Sequence, residues 1–295
     1  MATYKEINGT AVQNVAGDPS NPVEGEVWYN STAGTFRVRR TVQVLAWATG
    51  NNLNTARGYL AGAGTQTSAL AFGGTPNSTL TESYNGTNWT AVNTLNLGRS
   101  RIAGAGTQTA ALGFGGYNTP GADSETETWN GTNWTEVNDL NTARYALAGC
   151  GASNTAALAF GGEVPANTAA TETWNGTNWT EVNDLNSARS YLAGAGTNTA
   201  ALTFGGWAGR FALTETWNGT NWTEVNDLNT ARYAPGGAGT NTAALAFGGD
   251  SGGVTGITEL WNGTNWTEVA DMATARVHLA GAGIQTSALA FGGVP

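Results

Sequence analysis

Residues 172–206 read ETWNGTNWTEVNDLNSARSYLAGAGTNTAALTFGG, and close copies of this stretch fill most of the 295-residue chain. The Phe-Gly-Gly that ends each copy occurs six times, at Phe72, Phe114, Phe160, Phe204, Phe247 and Phe291. Successive copies are 42, 46, 44, 43 and 44 residues apart. A period in the low forties, with a Gly-Gly doublet and paired aromatic residues, is typical of propeller blades rather than of helical solenoids.

Each copy contains four strand-sized segments, of which the two outer ones are joined by Asn-Gly-Thr-Asn. Asn-Gly between two such segments is a strong hairpin signal, because both central residues of a type I′ turn need positive φ. The segment at 192–196, Leu-Ala-Gly-Ala-Gly, carries the smallest side chains and is predicted to lie at the axis, where the blades converge. The Trp-rich segments are predicted to lie outward, where large rings fill the widening space.

The sixth copy stops shortly after Gly293, so its two outer strands are missing. Trp47 precedes Arg57 by ten residues, as Trp134 precedes Arg144, so residues 36–52 resemble the missing part. We therefore predict an all-β fold with a six-bladed propeller at 36–295, whose N-terminal strands complete the C-terminal blade. Such closure removes two exposed sheet edges.

The order of Phe-Gly-Gly at 160–162, Trp174, Trp179 and Arg189 resembles the kelch repeat. The resemblance covers about residues 36–295, and it departs from the family in its short Asn-Gly-Thr-Asn spacer and in the near-identity of its copies. It implies a propeller fold. It implies little about chemistry, because kelch proteins range from adaptors to oxidases.

Residues 1–35 lie outside the repeat and form a predicted N-terminal extension. The run NPVEGEVWYNSTAGTFRVR at 21–39 resembles the leading segment of structural proteins from tailed bacteriophages, especially marine ones, that carry kelch-like repeats behind it. The resemblance implies a virion protein, homo-oligomeric in the particle, whose extension docks on other virion proteins. Trp28 and Tyr29 are the expected anchoring residues.

The charge and the apolar pattern disfavour several partners. A net charge of −9 with Lys5 as the single lysine provides no basic face for nucleic acid. No apolar stretch approaches the roughly 18 residues of a membrane span, and no secretory signal is visible at the N-terminus. Cys150 is the only cysteine, so the chain does not depend on an intrachain disulfide, and we expect it to be made in the host cytoplasm.

Two charged positions recur in the repeat. The acidic position is Glu82, Glu127, Glu172, Glu215 and Glu259, and the basic position is Arg57, Arg99, Arg144, Arg189, Arg232 and Arg276. A buried charge must be paired, so these residues are interpreted first as structural ion pairs. The alternative is a ring of six guanidinium groups at the mouth of the axis that captures an anionic sugar or carboxylate.

Catalytic and metal chemistry have little support in the sequence. His278 is the only histidine, so no catalytic residue, metal site or cofactor is predicted, and His278 is interpreted as a surface or channel-lining residue. A hydrolase would need two carboxylates at a set separation. The non-repeated acids near the predicted loop face are Asp123, Glu125, Glu163 and Asp250.

The strands are almost copied, whereas the loops after Gly-Gly differ in length and content. Strand alternation predicts that these loops share one face with the Asn-Asp-Leu-Asn connections. Tyr117, Trp207, Arg210 and Phe211 on them suit sugar stacking or a protein hot spot. Drift in unconstrained loops would produce the same variability.

The leading functional hypothesis is a non-enzymatic bacteriophage virion protein, a tail or fibre component whose propeller contacts the host surface or another virion protein. The alternatives are a lectin-like glycan-binding module, a capsid decoration protein, and an enzyme of the kelch oxidase or glycosidase kind. A copper site would need imidazoles that the chain lacks.

Overall fold

The computed structural model describes residues 12–20, 26–38 and 46–295, and it divides the chain into two compact units, 1–44 and 45–295. Every regular element in the described residues is a β-strand. The described part of the chain therefore holds no helix with the length and apolar character to cross a membrane.

The first unit contains a three-stranded sheet. Strand β1 (Gln13–Val15) runs parallel to β2 (Val27–Asn30), and β2 pairs antiparallel with β3 (Thr35–Val38). Strand β3 includes part of the segment that was predicted to complete the last blade. Its pairing with β2 places residues 35–38 in the sheet of the first unit.

Two side chains of the first unit's sheet donate hydrogen bonds to the exposed carboxylate of Asp18. Trp28, 5% exposed, donates from Nε1 to Asp18 Oδ1 at 3.1 Å, and Asn30 Nδ2 donates to the same oxygen at 2.8 Å. The hydrogen bonds from Asn30 and then Trp28 lower the pKa of Asp18. Trp28 is thus part of the packing of this unit, whereas Phe36, 64% exposed, and Val38 are its exposed apolar side chains.

The second unit consists of similar antiparallel sheets, five of them four-stranded in the described residues. The first is β4 (Ala61–Thr65), β5 (Ser68–Phe72), β6 (Thr81–Tyr84) and β7 (Trp89–Val92). The second is β8 (Ala103–Gly106), β9 (Ala111–Phe114), β12 (Thr126–Trp129) and β13 (Trp134–Val137), with the loop ribbon β10 (Tyr117–Asn118) and β11 (Gly121–Ala122). The third is β14 (Ala148–Ser153), β15 (Ala156–Phe160), β18 (Thr171–Trp174) and β19 (Trp179–Val182), with the ribbon β16 (Glu163–Val164) and β17 (Ala166–Asn167).

The remaining sheets follow in chain order. The fourth is β20 (Ala193–Gly196), β21 (Ala201–Phe204), β22 (Thr214–Trp217) and β23 (Trp222–Val225). The fifth is β24 (Gly236–Gly239), β25 (Ala244–Phe247), β26 (Thr258–Trp261) and β27 (Trp266–Val269). The last sheet has two strands in the described residues, β28 (Val277–Ile284) and β29 (Ser287–Val294).

The innermost strands β4, β8, β14, β20, β24 and β28 each contact the next, and β28 contacts β4, so they form a closed cycle. Neighbouring sheets lie so close together at these strands that only small side chains fit. A Cβ added at Gly149 would lie 2.4 Å from Cζ of Phe114 in the preceding sheet. The structure confirms that the Ala-Gly strands lie at the axis, and the fold is an all-β propeller, as predicted.

The outer tryptophans bind each sheet to the one before it. Trp134 donates from Nε1 to Thr81 Oγ1 at 3.0 Å, and its ring centroid lies 4.8 Å from that of Phe72. Trp47 makes the same two contacts with Thr258 and Phe247 of the fifth sheet. The fifth sheet is the neighbour of the last sheet, which has two strands in the described residues. Residues 39–45, which would have to pair with β29, lie outside the described residues, so completion of a sixth four-stranded blade stays a prediction.

Candidate functional site: the axial mouth

Six residues at one repeat position encircle the axis and define what we call the axial ring: Tyr59, Arg101, Ala146, Tyr191, Ala234 and His278. The backbone N–H of each donates to the carbonyl of the ring residue in the preceding sheet, at 2.7–3.2 Å. The bond from Tyr59 to His278, 2.9 Å, closes the cycle. All six have φ between 50° and 59°.

The axial ring holds its backbone in a left-handed conformation that costs a non-glycine residue on the order of 1 kcal/mol or more. Such a conformation persists only where surrounding contacts impose it, and here the hydrogen bonds of the ring do so. The backbone is repeated six times, yet the side chains are Tyr, Arg, Ala, Tyr, Ala and His. The position therefore combines a fixed scaffold with variable chemistry.

The ring surrounds a cavity of about 110 Å³ at the loop face. The residue after each ring member is apolar and also lines the cavity, so its walls combine these apolar side chains with the Tyr, Arg and His side chains of the ring. These six apolar residues are Leu60, Ile102, Leu147, Leu192, Pro235 and Leu279.

Arg101 lies among aromatic side chains at this mouth. Its guanidinium carbon is 5.3 Å from the ring centroid of Tyr59, 5.3 Å from Tyr145 and 5.4 Å from Tyr117. Tyr191 lies at 6.0 Å. These distances are those of cation–π contacts. The aromatic faces hold the guanidinium in place while leaving its hydrogen-bond donors for other partners.

A second group of aromatic residues extends the mouth. Trp207 is 41% exposed and packs edge-on to Tyr233 at 5.1 Å, and Arg210 binds Asp250 at 3.0 Å. The guanidinium of Arg210 lies 5.9 Å from both of those rings. Phe211 is half-buried, and its backbone N–H donates to the carbonyl of Gly206.

The variable loops contact the connections between sheets, as their predicted shared face requires. Tyr117 pairs through its backbone with Ser100, and Trp207 pairs with Ser190 in the same way. Three of the four loop residues singled out in the sequence, Tyr117, Trp207 and Arg210, thus lie among the aromatic side chains of the mouth.

Burial controls the protonation of the mouth. Burial, and then the charge of Arg101, lowers the pKa of His278 to about 4, so its imidazole is neutral at pH 7. The imidazole stacks on Tyr59 with 3.8 Å between ring centroids. Burial also raises the pKa of Tyr191 to about 12. The positive charges at the mouth at pH 7 are therefore the two arginines.

The repeat arginines occupy a different place. Five form ion pairs buried inside the sheets: Arg57 with Glu82, Arg99 with Glu127, Arg144 with Glu172, Arg189 with Glu215, and Arg232 with Glu259. None of the six repeat arginines lines the axial cavity. These five match the structural interpretation, and the ring of six guanidinium groups at the mouth is not what the structure shows.

Arg276 differs from the other repeat arginines. It donates from Nη1 to the carbonyl of Gly292 at 3.0 Å, and no carboxylate in the described residues pairs with it. Burial lowers the pKa of its guanidinium. Its position in the repeat therefore lacks the ion pair that the other five share, as far as the described residues go.

The remaining candidate groups have ordinary roles. Cys150 is buried in an inner strand, which raises the pKa of its thiol to about 12. Among the non-repeated acids, Asp123 caps the backbone N–H of Glu125 at 2.8 Å, and burial raises the pKa of Glu125. No group of three or more potential metal ligands occurs in residues 12–20, 26–38 and 46–295.

Tyr59, Arg101, Tyr145 and Tyr191 were not predicted as site residues from the sequence. A signal was available for the axial ring, since its position varies widely between otherwise copied strands. Variation at one position in six near-identical repeats indicates that packing does not decide the residue there. His278, interpreted as channel-lining, does line the axial cavity.

Comparisons with known proteins bear on the fold alone. No family model and no curated protein sequence matches the chain. Among solved structures, that of YjhT superposes with a TM-score of 0.70 at 12% sequence identity. The superposition covers 83% of this chain and 92% of YjhT, itself a propeller. At this identity the likeness supports the propeller architecture and carries nothing about the site.

Proposed function

We propose that this protein is a non-enzymatic bacteriophage virion component, of the tail or fibre, whose propeller binds a surface ligand through the axial mouth. The N-terminal unit would attach it to another virion protein. The virion part of the proposal rests on the resemblance of residues 21–39 to leading segments of phage structural proteins. The binding part rests on the structure of the mouth.

The observation that carries the binding proposal is the concentration of aromatic side chains around Arg101. Tyr59, Tyr117, Tyr145 and Tyr191 all lie within 6.0 Å of its guanidinium carbon, at the face where the loops vary. Aromatic and arginine side chains are the residues on which binding energy most often concentrates. A rigid scaffold with variable loops on one face is a common way to present such a group.

The attachment part depends on the first unit, which has its own sheet. Because Trp28 is buried there, the apolar side chains offered to a neighbour are Phe36 and Val38. Tyr29, half-buried, packs on Phe36 with 5.2 Å between ring centroids. The expected anchoring surface thus shifts from Trp28 and Tyr29 to Phe36 and Val38, with Tyr29 supporting Phe36.

A density map of the protein in its native particle tests the proposal. The expected result places the first unit against a second virion protein and the axial mouth toward solvent. A map in which the mouth is buried against a neighbouring virion protein would overturn host-surface binding and make the propeller a structural joint. Absence of the protein from purified particles would overturn the virion assignment and favour a lectin-like module outside any virion, which the same aromatic mouth supports.

A further inference from the structure

Arg101 differs from the arginines inside the sheets. Each of those five repeat arginines has a carboxylate oxygen within 3.1 Å, whereas no described carboxylate lies within the 4.0 Å of a salt bridge to Arg101. Its Nε is buried and has no hydrogen-bond partner, which is also true of the Nε of Arg99, Arg144, Arg189, Arg232 and Arg276. What sets Arg101 apart from the five paired arginines is the absence of a carboxylate within ion-pair distance, and a half-buried guanidinium without a paired anion is costly unless a ligand supplies one.

The acids near the mouth have other partners. Asp250 accepts a backbone N–H from Gly252 at 2.9 Å and binds Arg210, and these contacts, the Gly252 bond foremost, lower its pKa. Glu163 lies by Tyr145, whose pKa is raised by burial and then by its hydrogen bond to Glu163. Neither acid neutralises Arg101 by direct contact. The guanidinium of Arg101 therefore has no described carboxylate in direct contact, and Glu163 is held by Tyr145, whose ring lies 5.3 Å from that guanidinium.

The shape of the mouth restricts the anion. A cavity of about 110 Å³ holds more than one water-sized group and has room for a carboxylate with its neighbouring atoms, yet not for a whole oligosaccharide. A guanidinium binds a carboxylate with two parallel hydrogen bonds. A planar carboxylate at the end of a ligand can form both bonds when it lies at the axis. The rest of a longer ligand would lie across the exposed aromatic side chains at the rim, such as Trp207.

We propose that the axial mouth binds the carboxylate of an acidic sugar, a hexuronic acid within or at the end of a surface saccharide, with Arg101 as its anchor. The aromatic rim favours a saccharide, because the apolar face of a pyranose packs on a flat ring such as that of Trp207 or Tyr117. The neutral imidazole of His278 provides one donor or acceptor for a sugar hydroxyl. This inference rests on the proposed binding function of the same mouth and specifies its ligand.

The test is a calorimetric titration of the full-length protein at pH 7 with glucuronate, its methyl ester, glucose and acetate. We expect glucuronate to bind at least tenfold more tightly than the methyl ester, which keeps the ring and removes the charge. Acetate has the charge without the ring, and we expect it to bind at least tenfold more weakly than glucuronate.

Arg101→Ala separates anchoring from folding, because Ala146 and Ala234 already occupy the same ring position. We expect it to weaken glucuronate binding at least tenfold with an unchanged far-ultraviolet spectrum. Arg37→Ala is the matched control, since it removes one exposed arginine from the first unit and should change the affinity less than twofold.

Equal affinity for glucuronate, its ester and glucose would overturn the acidic-sugar inference while leaving saccharide binding at the mouth intact. Equal affinity for acetate and glucuronate would also overturn it, and would point instead to a simple carboxylate such as a peptide C-terminus. If none of the four probes binds, the inference is overturned. The proposed function is tested separately, by the density map of the native particle.

Discussion

The indole Nε1 of Trp47 donates a hydrogen bond to Oγ1 of Thr258 at 2.9 Å, across 211 residues of sequence. Trp134 makes the same bond to Thr81, and Trp179 makes it to Thr126, each at 3.0 Å. The ring of Trp47 lies 5.0 Å from that of Phe247, as the other tryptophans lie against the preceding Phe. Trp47, from the start of the repeat region, therefore packs on the fifth sheet, near its end, through the same Trp-to-Thr contact that joins other neighbouring sheets.

Trp47→Ala should destabilise the propeller by about 3 kcal/mol, because it removes a packed indole and the bond to Thr258. Trp47→Phe, which keeps a ring and loses the donor, should cost about 1 kcal/mol. Urea unfolding followed by tryptophan fluorescence measures both values. The control is Trp207→Ala at the exposed rim, expected to cost less than about 1 kcal/mol. Equal effects of the two alanine variants would contradict a role for Trp47 in closing the ring.

Glu127→Gln should destabilise the protein by about 3 kcal/mol, because it leaves Arg99 buried without its counter-ion. Glu127 is fully buried and also accepts hydrogen bonds from the backbone and side chain of Asn96, at 2.8 and 2.9 Å. Its cross-strand neighbour Glu136 is exposed. Glu136→Gln is therefore the matched control and should change the free energy of unfolding by less than about 0.5 kcal/mol.

Both glutamine variants are compared by chemical denaturation at pH 7. A Glu127→Gln protein as stable as the Glu136→Gln protein would show that the buried pair contributes no more than an exposed carboxylate.

Gly149→Ala should cost about 1–3 kcal/mol, since its new methyl group would overlap the ring of Phe114, which is itself fully buried. Gly121→Ala places its methyl group in open space and should change stability by less than about 0.5 kcal/mol. Thermal unfolding of the two variants gives the comparison. A stable Gly149→Ala protein would mean that inner strands approach less closely than the structure indicates.

His278 makes stability depend on pH. Its pKa of about 4 in the folded protein lies below the ordinary value of 6.5, mainly because of burial and the charge of Arg101, while Asp250 opposes this shift. The unfolded chain therefore binds more protons between pH 4 and 6.5, so stability is complete above about pH 6.5 and falls as the pH decreases toward 4. The contribution reaches at most about 3 kcal/mol.

His278→Ala removes this dependence, because alanine occupies the same ring position elsewhere. The variant should gain stability relative to the parent protein by about 2–3 kcal/mol on going from pH 7 to pH 4.5. Carboxylates titrate in both proteins, so the difference between their urea-unfolding curves isolates the imidazole. Tyr59, Tyr191 and Tyr233 face the imidazole, and burial raises the pKa of Tyr191 and Tyr233, so neither of those two titrates in this range. Parallel pH profiles would contradict a buried neutral His278.

The candidate site was only partly predictable from the sequence. Tyr117, Trp207 and Arg210 were found because they are aromatic or cationic residues on variable loops, a property that the sequence displays directly. Arg101 was not, because variation at its repeat position marks a position that packing does not decide but does not show which side chains surround it. The four tyrosines near its guanidinium belong to four different sheets, and only the closed packing of those sheets brings them together.

The first unit provides the opposite case. Trp28 and Tyr29 were expected to anchor the chain because tryptophan and tyrosine are frequent at interfaces. The structure instead buries Trp28 through its bonds within the unit, and it pairs residue 36 with Tyr29 in a strand that the repeat pattern had assigned to the propeller. The burial of Trp28 was not visible in the sequence. The pairing was, because two strand-like segments at 26–30 and 35–38 flank Ser-Thr-Ala-Gly, which indicates the hairpin that β2 and β3 form.

The sequence by itself determined the propeller, the hairpins at Asn-Gly-Thr-Asn and the small inner strands, because these follow from local backbone preferences and side-chain volume repeated in every copy. The hairpin loops have four residues, of which only the glycine has positive φ, so the type I′ turn expected from Asn-Gly did not form. It also indicated the pairing of charges inside the sheets, since an arginine and a glutamate recur together in five copies. Only the tertiary structure decided which side chains share the axial mouth. A closed ring places one residue from each copy at the same axis, so residues far apart in the chain become neighbours through packing that no local pattern encodes.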